Sequence, residues 1–288
     1  MRKLKGILLG WLYRLSSRVH PRFGMYLLNR SFPFGNPVLD YLEFHLADHC
    51  NLNCAGCLHY APFADKRLAD VETIERDFLR LKDLFSNIRH IRIMGGEPLL
   101  HPEVGDVARI VRTAFPKSKV RVVTNGVLLR DDGGGATRRL LTSLKGNKVG
   151  IDWTKYPPVA HREAEIKDLC SETGVNLRIT ENNSFMARIR PNGGEGIRKA
   201  FRWCRERMYC PVLDDGRIYT CAPARYADYY NKAAGTKIPV EKGIDIHKTT
   251  AKEILYYLMC PSFACAYCDA GARYFPWKGN ATPEDWVR

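Results

Sequence analysis

No aspartate or glutamate occurs in the first 39 residues of this 288-residue chain, although Arg2, Lys3, Lys5, Arg14, Arg18, Arg22 and Arg30 all fall there. About half of the formal net charge of +14 is therefore confined to an N-terminal extension, and the remainder of the chain is only mildly basic. Charge placed this way argues against a nucleic-acid binder, which spreads its basic residues over a working face. Long hydrophobic runs are also missing. The apolar stretch Ile7 to Tyr13 is interrupted by Gly10 and closed by Arg14, far short of the roughly twenty residues a spanning helix needs. Arg14 to Arg22 supplies neither the apolar centre nor the small-residue cleavage site of a signal peptide. Neither an internal repeat nor a low-complexity tract is present.

Within the extension, Leu4, Leu8, Trp11, Leu15 and Val19 recur at helical spacing, with Arg18 falling near the stripe. Two readings stay open. Residues 1–39 form a helix in peripheral contact with an anionic membrane surface, or a helix packed on the protein's own body with its charges solvated.

Cysteine, by contrast, is plentiful, with ten residues. A chain of this length buries a sizeable core without disulfides, so size does not account for them. They are grouped as Cys50, Cys54 and Cys57 near one end and Cys260, Cys265 and Cys268 near the other. Such clustering favours metal in a reducing cytoplasm over a bridge framework.

From residue 41 onward, short apolar runs alternate with amphipathic segments, the pattern of strand-helix units on a parallel sheet. Tyr41 to Leu46, His90 to Met94, Val120 to Val123, Val149 to Trp153 and Leu177 to Thr180 read as buried strands. Val71, Ile74, Phe78, Leu81 and Phe85 share one helical face behind Asp70 as N-cap, and Val104, Val107, Ile110, Val111 and Ala114 share another. Ile166, Leu169 and Cys170 form the buried side of a later helix that Gly174 terminates, so Cys170 reads as core. Glycine-rich stretches at Asp131 to Gly135 and Pro191 to Gly196 read as surface connections, the second marking a domain boundary. Residues beyond about 200 hold six of the ten cysteines in short segments, as in a small domain organised by metal.

The stretch Cys50-Asn51-Leu52-Asn53-Cys54-Ala55-Gly56-Cys57 follows the first expected strand directly, which places three thiols in a loop at the carboxyl end of the sheet. This C-x3-C-x2-C loop resembles the mark of the radical S-adenosylmethionine superfamily. Met94-Gly95-Gly96-Glu97-Pro98 after the second strand and Thr124-Asn125-Gly126 after the third strengthen the resemblance, since the order is that of the family. The resemblance implies an α/β fold, a partial (β/α)6 barrel, in which Cys50, Cys54 and Cys57 hold three irons of a 4Fe-4S cluster. It further implies that the fourth iron chelates S-adenosylmethionine, cleaved to a 5'-deoxyadenosyl radical, with Gly95, Gly96, Glu97, Asn125 and Asp152 around the cofactor. Glycine lets backbone approach a ligand closely and Glu97 can accept an ammonium hydrogen bond. One departure is Gly56, where relatives commonly carry an aromatic residue near adenine, and His59 or Tyr60 is the substitute available in the sequence. A zinc site is the alternative for these thiols, with His45 or His59 as fourth ligand, but it leaves the Gly-Gly-Glu turn unexplained.

Cys210 and Cys221 flank a segment whose Gly216-x4-Cys221 spacing suits a hairpin, and Cys265-x2-Cys268 follows. This group resembles the auxiliary-cluster module of the same superfamily, called SPASM with two clusters and twitch with one. With Cys170 and Cys204 both on apolar helical faces, the latter alongside Ile197, Ala200, Phe201 and Met208, the one-cluster version fits. The resemblance then implies Cys210, Cys221, Cys265 and Cys268 as ligands of a second 4Fe-4S cluster. Cys260 is left as an alternative ligand, a buried thiol, or a hydrogen-atom donor in catalysis. Zinc in place of the second cluster also stays open.

The expected organisation is an extension over residues 1–39, a radical S-adenosylmethionine barrel over 40–200 and an auxiliary-cluster domain over 201–288. The expected activity is hydrogen abstraction from a carbon of a sugar, aminocyclitol or lipid-linked glycan, leading to epimerisation or dehydrogenation. Flavodoxin or ferredoxin is the expected electron donor. A peptide or protein maturase is the alternative among enzymes, and a zinc-stabilised RNA-binding module the alternative of another class, which predicts steeply salt-dependent binding.

Overall fold

The computed structural model describes residues 36–131, 133–194, 196–204 and 210–288. The expectation of a basic amphipathic helix falls almost wholly on residues 1–35, outside the described residues. All five expected strands are present, as β1 (Val38–Ala47), β2 (Asn87–Gly95), β3 (Lys119–Thr124), β4 (Gly150–Lys155) and β5 (Leu177–Glu181). They pair in parallel in sequence order, each reached by a helical crossover. The helices between them are α1 (Val71–Leu84), α2 (Val104–Ala114), α3 (Ala136–Gly146) and α4 (Glu163–Thr173).

Alternation along the strands sorts the side chains onto two faces. Leu42, Phe44, Ile91, Ile93, Val122, Ile151 and Trp153 are buried in one core with Phe78, Leu81, Val107 and Val111 of the helices. Each such side chain contributes about 1.5–3 kcal/mol of burial, which makes this layer the main source of stability. Asp70 caps α1 by accepting from Thr73 N at 2.8 Å, and Gly174 ends α4 in the left-handed region with Cys170 buried beneath it. On the opposite face Arg92, Arg121 and Arg178 meet Asp152.

Two features differ from the sequence expectation. A sixth strand does not extend the sheet beyond β5; instead β6 (Ser184–Ile189) pairs antiparallel with β10 (Cys268–Pro276), driven by burial of Phe185, Ala187 and Ile189. The segment beyond residue 200 packs in part on the main core and in part builds a second apolar cluster. After α5 (Ile197–Trp203), the hairpin β7 (Val212–Asp214) and β8 (Arg217–Tyr219) joins the free edge of β1, with β7 parallel to it, and β9 (Ile244–Asp245) adds to β8. Ile218, Ile246 and, from α8 (Ala251–Leu258), Ile254, Leu255 and Leu258 belong to the main core. The short helices α6 (Ala222–Arg225) and α7 (Ala227–Ala234) instead build a second apolar cluster around Tyr226, Tyr230 and Trp286. Among the described residues no helix is long and apolar enough to cross a membrane.

Candidate functional site

The loop after β1 starts from a heavily bonded anchor. Asp48 is 1% exposed and accepts from Arg67 Nε at 2.6 Å and from the Tyr229 hydroxyl at 2.6 Å, while His45 Nδ1 lies 3.0 Å from its other oxygen. Burial opposes ionisation of Asp48, but the bonds from His45 and Arg67 outweigh it and hold the carboxyl well below the usual range. His45 in turn stacks on Tyr226 and places Nε2 2.7 Å from His59 Nδ1. Both ends of the thiol loop are thereby fixed from below.

Cys50, Cys54 and Cys57 are free thiols close enough for the charges of Cys54 and Cys57 to act on Cys50. Burial pushes Cys50 up to about 12 and Cys54 up to about 11, and raises Cys57 as well. Such thiols ionise at neutral pH only when a cation takes the thiolate, which suits metal ligands better than solvent-exposed nucleophiles. The buried Nδ1 of His49, next to Cys50, has no hydrogen-bond partner within the protein. Among the described residues no three His, Cys, Asp or Glu side chains gather round a single ion position.

The Gly-Gly-Glu turn and the Thr-Asn-Gly turn are tied to this loop. A Cβ on Gly95 would lie 2.1 Å from the Ala47 carbonyl oxygen and one on Gly96 2.2 Å from that of His49. The glycines are thus required by the start of the thiol loop itself, which receives Gly96 N on Ala47 O at 2.8 Å and Glu97 N on His49 O at 3.0 Å. Glu97 is fully buried and accepts from Leu99 N, the Thr124 hydroxyl and Asn125 N at 2.7–3.0 Å. Burial pushes its carboxyl up to about 7 against those bonds. Asn125 completes the connection by donating to Cys50 Sγ at 3.4 Å and Asn51 Oδ1 at 2.7 Å.

Other expected contacts fall elsewhere. Asp152 is 3% exposed in the middle of β4 rather than at its end, and its carboxylate is taken by Arg92, Arg121 and Arg178. His59 is bonded to His45, and Tyr60 packs against Tyr230 and Trp286. Gly56 has φ +73°, and Phe275 of β10 comes within 2.8 Å of where its Cβ would be. Sequence reading missed this partner, because it arrives from a strand more than two hundred positions away. Trp277 and Trp286 were missed too. Trp277 Nε1 donates to Cys54 Sγ at 3.1 Å, Ala55 N to Lys278 O at 2.9 Å, and Trp286 Nε1 to Cys57 O at 2.9 Å, so the C-terminal segment clasps the thiol loop.

A second set of thiols meets in a cavity lined by Cys204, Cys221, Cys265 and Cys268, with Tyr60 and Arg188. Arg188 Nη2 lies 3.9 Å from Cys204 Sγ, and burial pushes Cys268 up to about 11, with Cys204 and Cys265 adding to the rise. The expected hairpin presents Cys221, but Cys210 does not line this cavity. It sits beside Tyr41, where Pro211 O accepts from Glu43 N at 3.0 Å. Cys204, the C-cap of α5, lines the cavity instead, on the same side as Ala200 of the apolar face assigned from its spacing; Met208 of that face lies outside the described residues. Cys260 follows α8, half-buried, with its N–H on Tyr257 O, and is not among the lining residues.

A three-thiol loop bonded to glycine-rich turns after β2 and β3 thus stands at the carboxyl end of a parallel sheet. Residues 45–162 match the family model of the radical SAM superfamily, which implies a 4Fe-4S cluster and S-adenosylmethionine. GTP 3',8-cyclase of Microcystis aeruginosa is 39% identical over 94 residues, 32% of this chain and 29% of that protein. GTP 3',8-cyclase of Chlorobaculum tepidum is 36% identical over 135 residues, 45% of this chain and 38% of that protein. The matches therefore span about a third of the length of these curated relatives. Among solved structures, BtrN in complex with AdoMet and 2-DOIA aligns over 81% of this chain and 94% of its own, at 14% identity and a TM-score of 0.48. SuiB of Streptococcus suis bound to precursor peptide SuiA aligns over 76% and 65%, at 12% identity and a TM-score of 0.43.

Proposed function

We propose that Cys50, Cys54 and Cys57 hold the 4Fe-4S cluster at which S-adenosylmethionine binds, and that the enzyme abstracts hydrogen from a sugar carbon of a small-molecule substrate. The observation that carries this reading is the convergence of three free thiols on one loop bonded to the turns after β2 and β3. When bound, the cluster supplies the electron that splits the sulfonium and yields a 5'-deoxyadenosyl radical.

The chain's own residues set the conditions for that step. Trp277 and Asn125 direct hydrogen bonds at the sulfurs of Cys54 and Cys50, Glu97 locks the two turns against the loop, and the ring of Phe275 closes the face over Gly56. The clasp of residues 275–286 covers one side of the loop around Cys54 and Gly56, which limits access of water there. Cys204, Cys221, Cys265 and Cys268 are the ligand set for an auxiliary 4Fe-4S cluster, in a cavity they share with Arg188, Tyr60 and Tyr267.

The curated relatives act on GTP, whose ribose is itself a sugar, so the expectation of carbohydrate C–H chemistry and the relatives' names meet at a carbinol carbon. The outcome after abstraction, whether epimerisation, dehydrogenation or ring closure, is a question of which neighbour accepts or returns hydrogen. The test is formation of 5'-deoxyadenosine by anaerobically reconstituted enzyme with GTP, with nucleotide sugars and with short peptides. Stimulation at least tenfold by a sugar-bearing substrate, with deuterium transferred from a labelled carbinol carbon, supports the proposal. Stimulation by a peptide alone replaces it with the maturase reading.

A further inference from the structure

We propose that the end of the sheet opposite the thiol loop is a second ligand site, built for a small phosphate-bearing polyanion. A cavity of about 610 Å³ opens there. It is lined by the first residues of β3 and β4, Lys119 and Gly150, and by Asn176 just before β5. The thiol loop follows the other, carboxyl end of the parallel strands. Six residues of β3 separate the two ends by about 20 Å, so one small ligand does not reach both.

No carboxylate side chain lines the cavity. Lys119, Lys145, Lys148 and Arg178 stand exposed around its rim, and Arg92 and Arg121 form its half-buried base. Asp152 lies behind the lining and is shared by Arg92, Arg121 and Arg178, while the buried Glu43 carboxyl beside Arg92 is bonded to the Tyr41 hydroxyl. Three guanidiniums on one carboxylate leave a surplus of two positive charges before the lysines are counted. Buried guanidiniums are costly without anions, and their planar forks match phosphate oxygens in pairs. Asp152 therefore orients the base, and a dianion or higher completes its charge.

The wall is preformed. The Arg112 guanidinium donates to the carbonyls of Pro116 and Ser118 on one side and Asn147 and Lys148 on the other, at 2.7–2.9 Å, which joins the turn before β3 to the turn before β4. Concavity and size point to a small molecule, since pockets of roughly 300–1,000 Å³ hold one, whereas a nucleic-acid strand tracks an open basic face.

The test uses the full chain, purified anaerobically with its iron, and calorimetric titration with pyrophosphate, inorganic phosphate and a single-stranded RNA oligonucleotide at physiological salt. The expected result is one pyrophosphate per chain, bound more tightly than phosphate and not displaced by RNA. Lys148→Glu and Arg178→Glu are each expected to weaken pyrophosphate at least tenfold, while circular dichroism, cluster absorbance and basal S-adenosylmethionine cleavage stay at the parent level. Lys148→Glu is remote from Asp152 and decides the matter if Arg178→Glu fails to fold. Absence of pyrophosphate binding to the parent, binding unchanged by Lys148→Glu, or tighter binding of RNA that collapses with salt each overturns the proposal. Because the cluster and the cleavage reaction are read separately, failure here is distinguishable from failure of the radical chemistry.

Discussion

The indole Nε1 of Trp277 donates to the sulfur of Cys54 at 3.1 Å, which makes a residue near the C-terminus a direct neighbour of the thiol loop after β1. A hydrogen bond to a cluster sulfur favours the reduced state, which carries the extra electron, and so raises the reduction potential. Trp277→Phe keeps the ring and removes the donor. The expected outcome is a full cluster with a more negative potential in an EPR-monitored redox titration; an unchanged potential would mean that the bond does not persist in the loaded protein.

Gly96 has no room for a side chain, because an added Cβ would lie 2.2 Å from the His49 carbonyl oxygen. Gly96→Ala must push the thiol loop away from the turn that carries Glu97. A loss of about 3 kcal/mol in denaturant unfolding is expected, together with reduced iron incorporation.

Glu43 gives the fold a pH dependence. Burial pushes its carboxyl up to about 8, against the Tyr41 hydroxyl that donates to it at 2.9 Å and the charge of Arg92. The folded-state value lies above the unfolded one, so the group's contribution is fully present below about pH 4.3 and is lost as pH rises through 8. Unfolding free energy is expected to fall over that window by on the order of a few kcal/mol. Glu43→Gln, which stays neutral and still accepts from Tyr41, should flatten the decline in urea midpoints measured from pH 5 to 9.

The four-thiol cavity separates two cysteines that sequence spacing treats alike. Cys204→Ala should cost one cluster's share of iron by elemental analysis, while Cys210→Ala, placed beside Tyr41, should retain it. The reverse pattern would restore Cys210 as the ligand.

Much of the barrel was legible because its signals are local. The five strands are apolar runs whose burial depends on period alone, and Asp70 and Gly174 mark helix ends by their own side-chain chemistry. The thiol loop and the two glycine-rich turns were legible as short motifs, though the reason for Gly95 and Gly96 was not, since the backbone they admit belongs to Ala47 and His49. What escaped is long-range. Phe275, Trp277 and Trp286 meet the thiol loop from the far end of the chain, and nothing in their local sequence announces it. Asp152 was placed at the cofactor by the resemblance alone, and only the registry of β2, β3, β4 and β5 reveals three arginines converging on it. Cys204 shares its side with Ala200, as its spacing implies, but only the fold brings that face against Cys221, Cys265 and Cys268.

The central claim, that the Cys50, Cys54 and Cys57 loop delivers one electron to a sulfonium, is tested most directly by anaerobic reconstitution with iron and sulfide, strong reductant and S-adenosylmethionine. Formation of 5'-deoxyadenosine is expected, abolished by Cys50→Ala while the four-thiol cavity keeps its iron. Zinc at the loop, or S-adenosylmethionine recovered intact from fully reduced protein, would contradict the account.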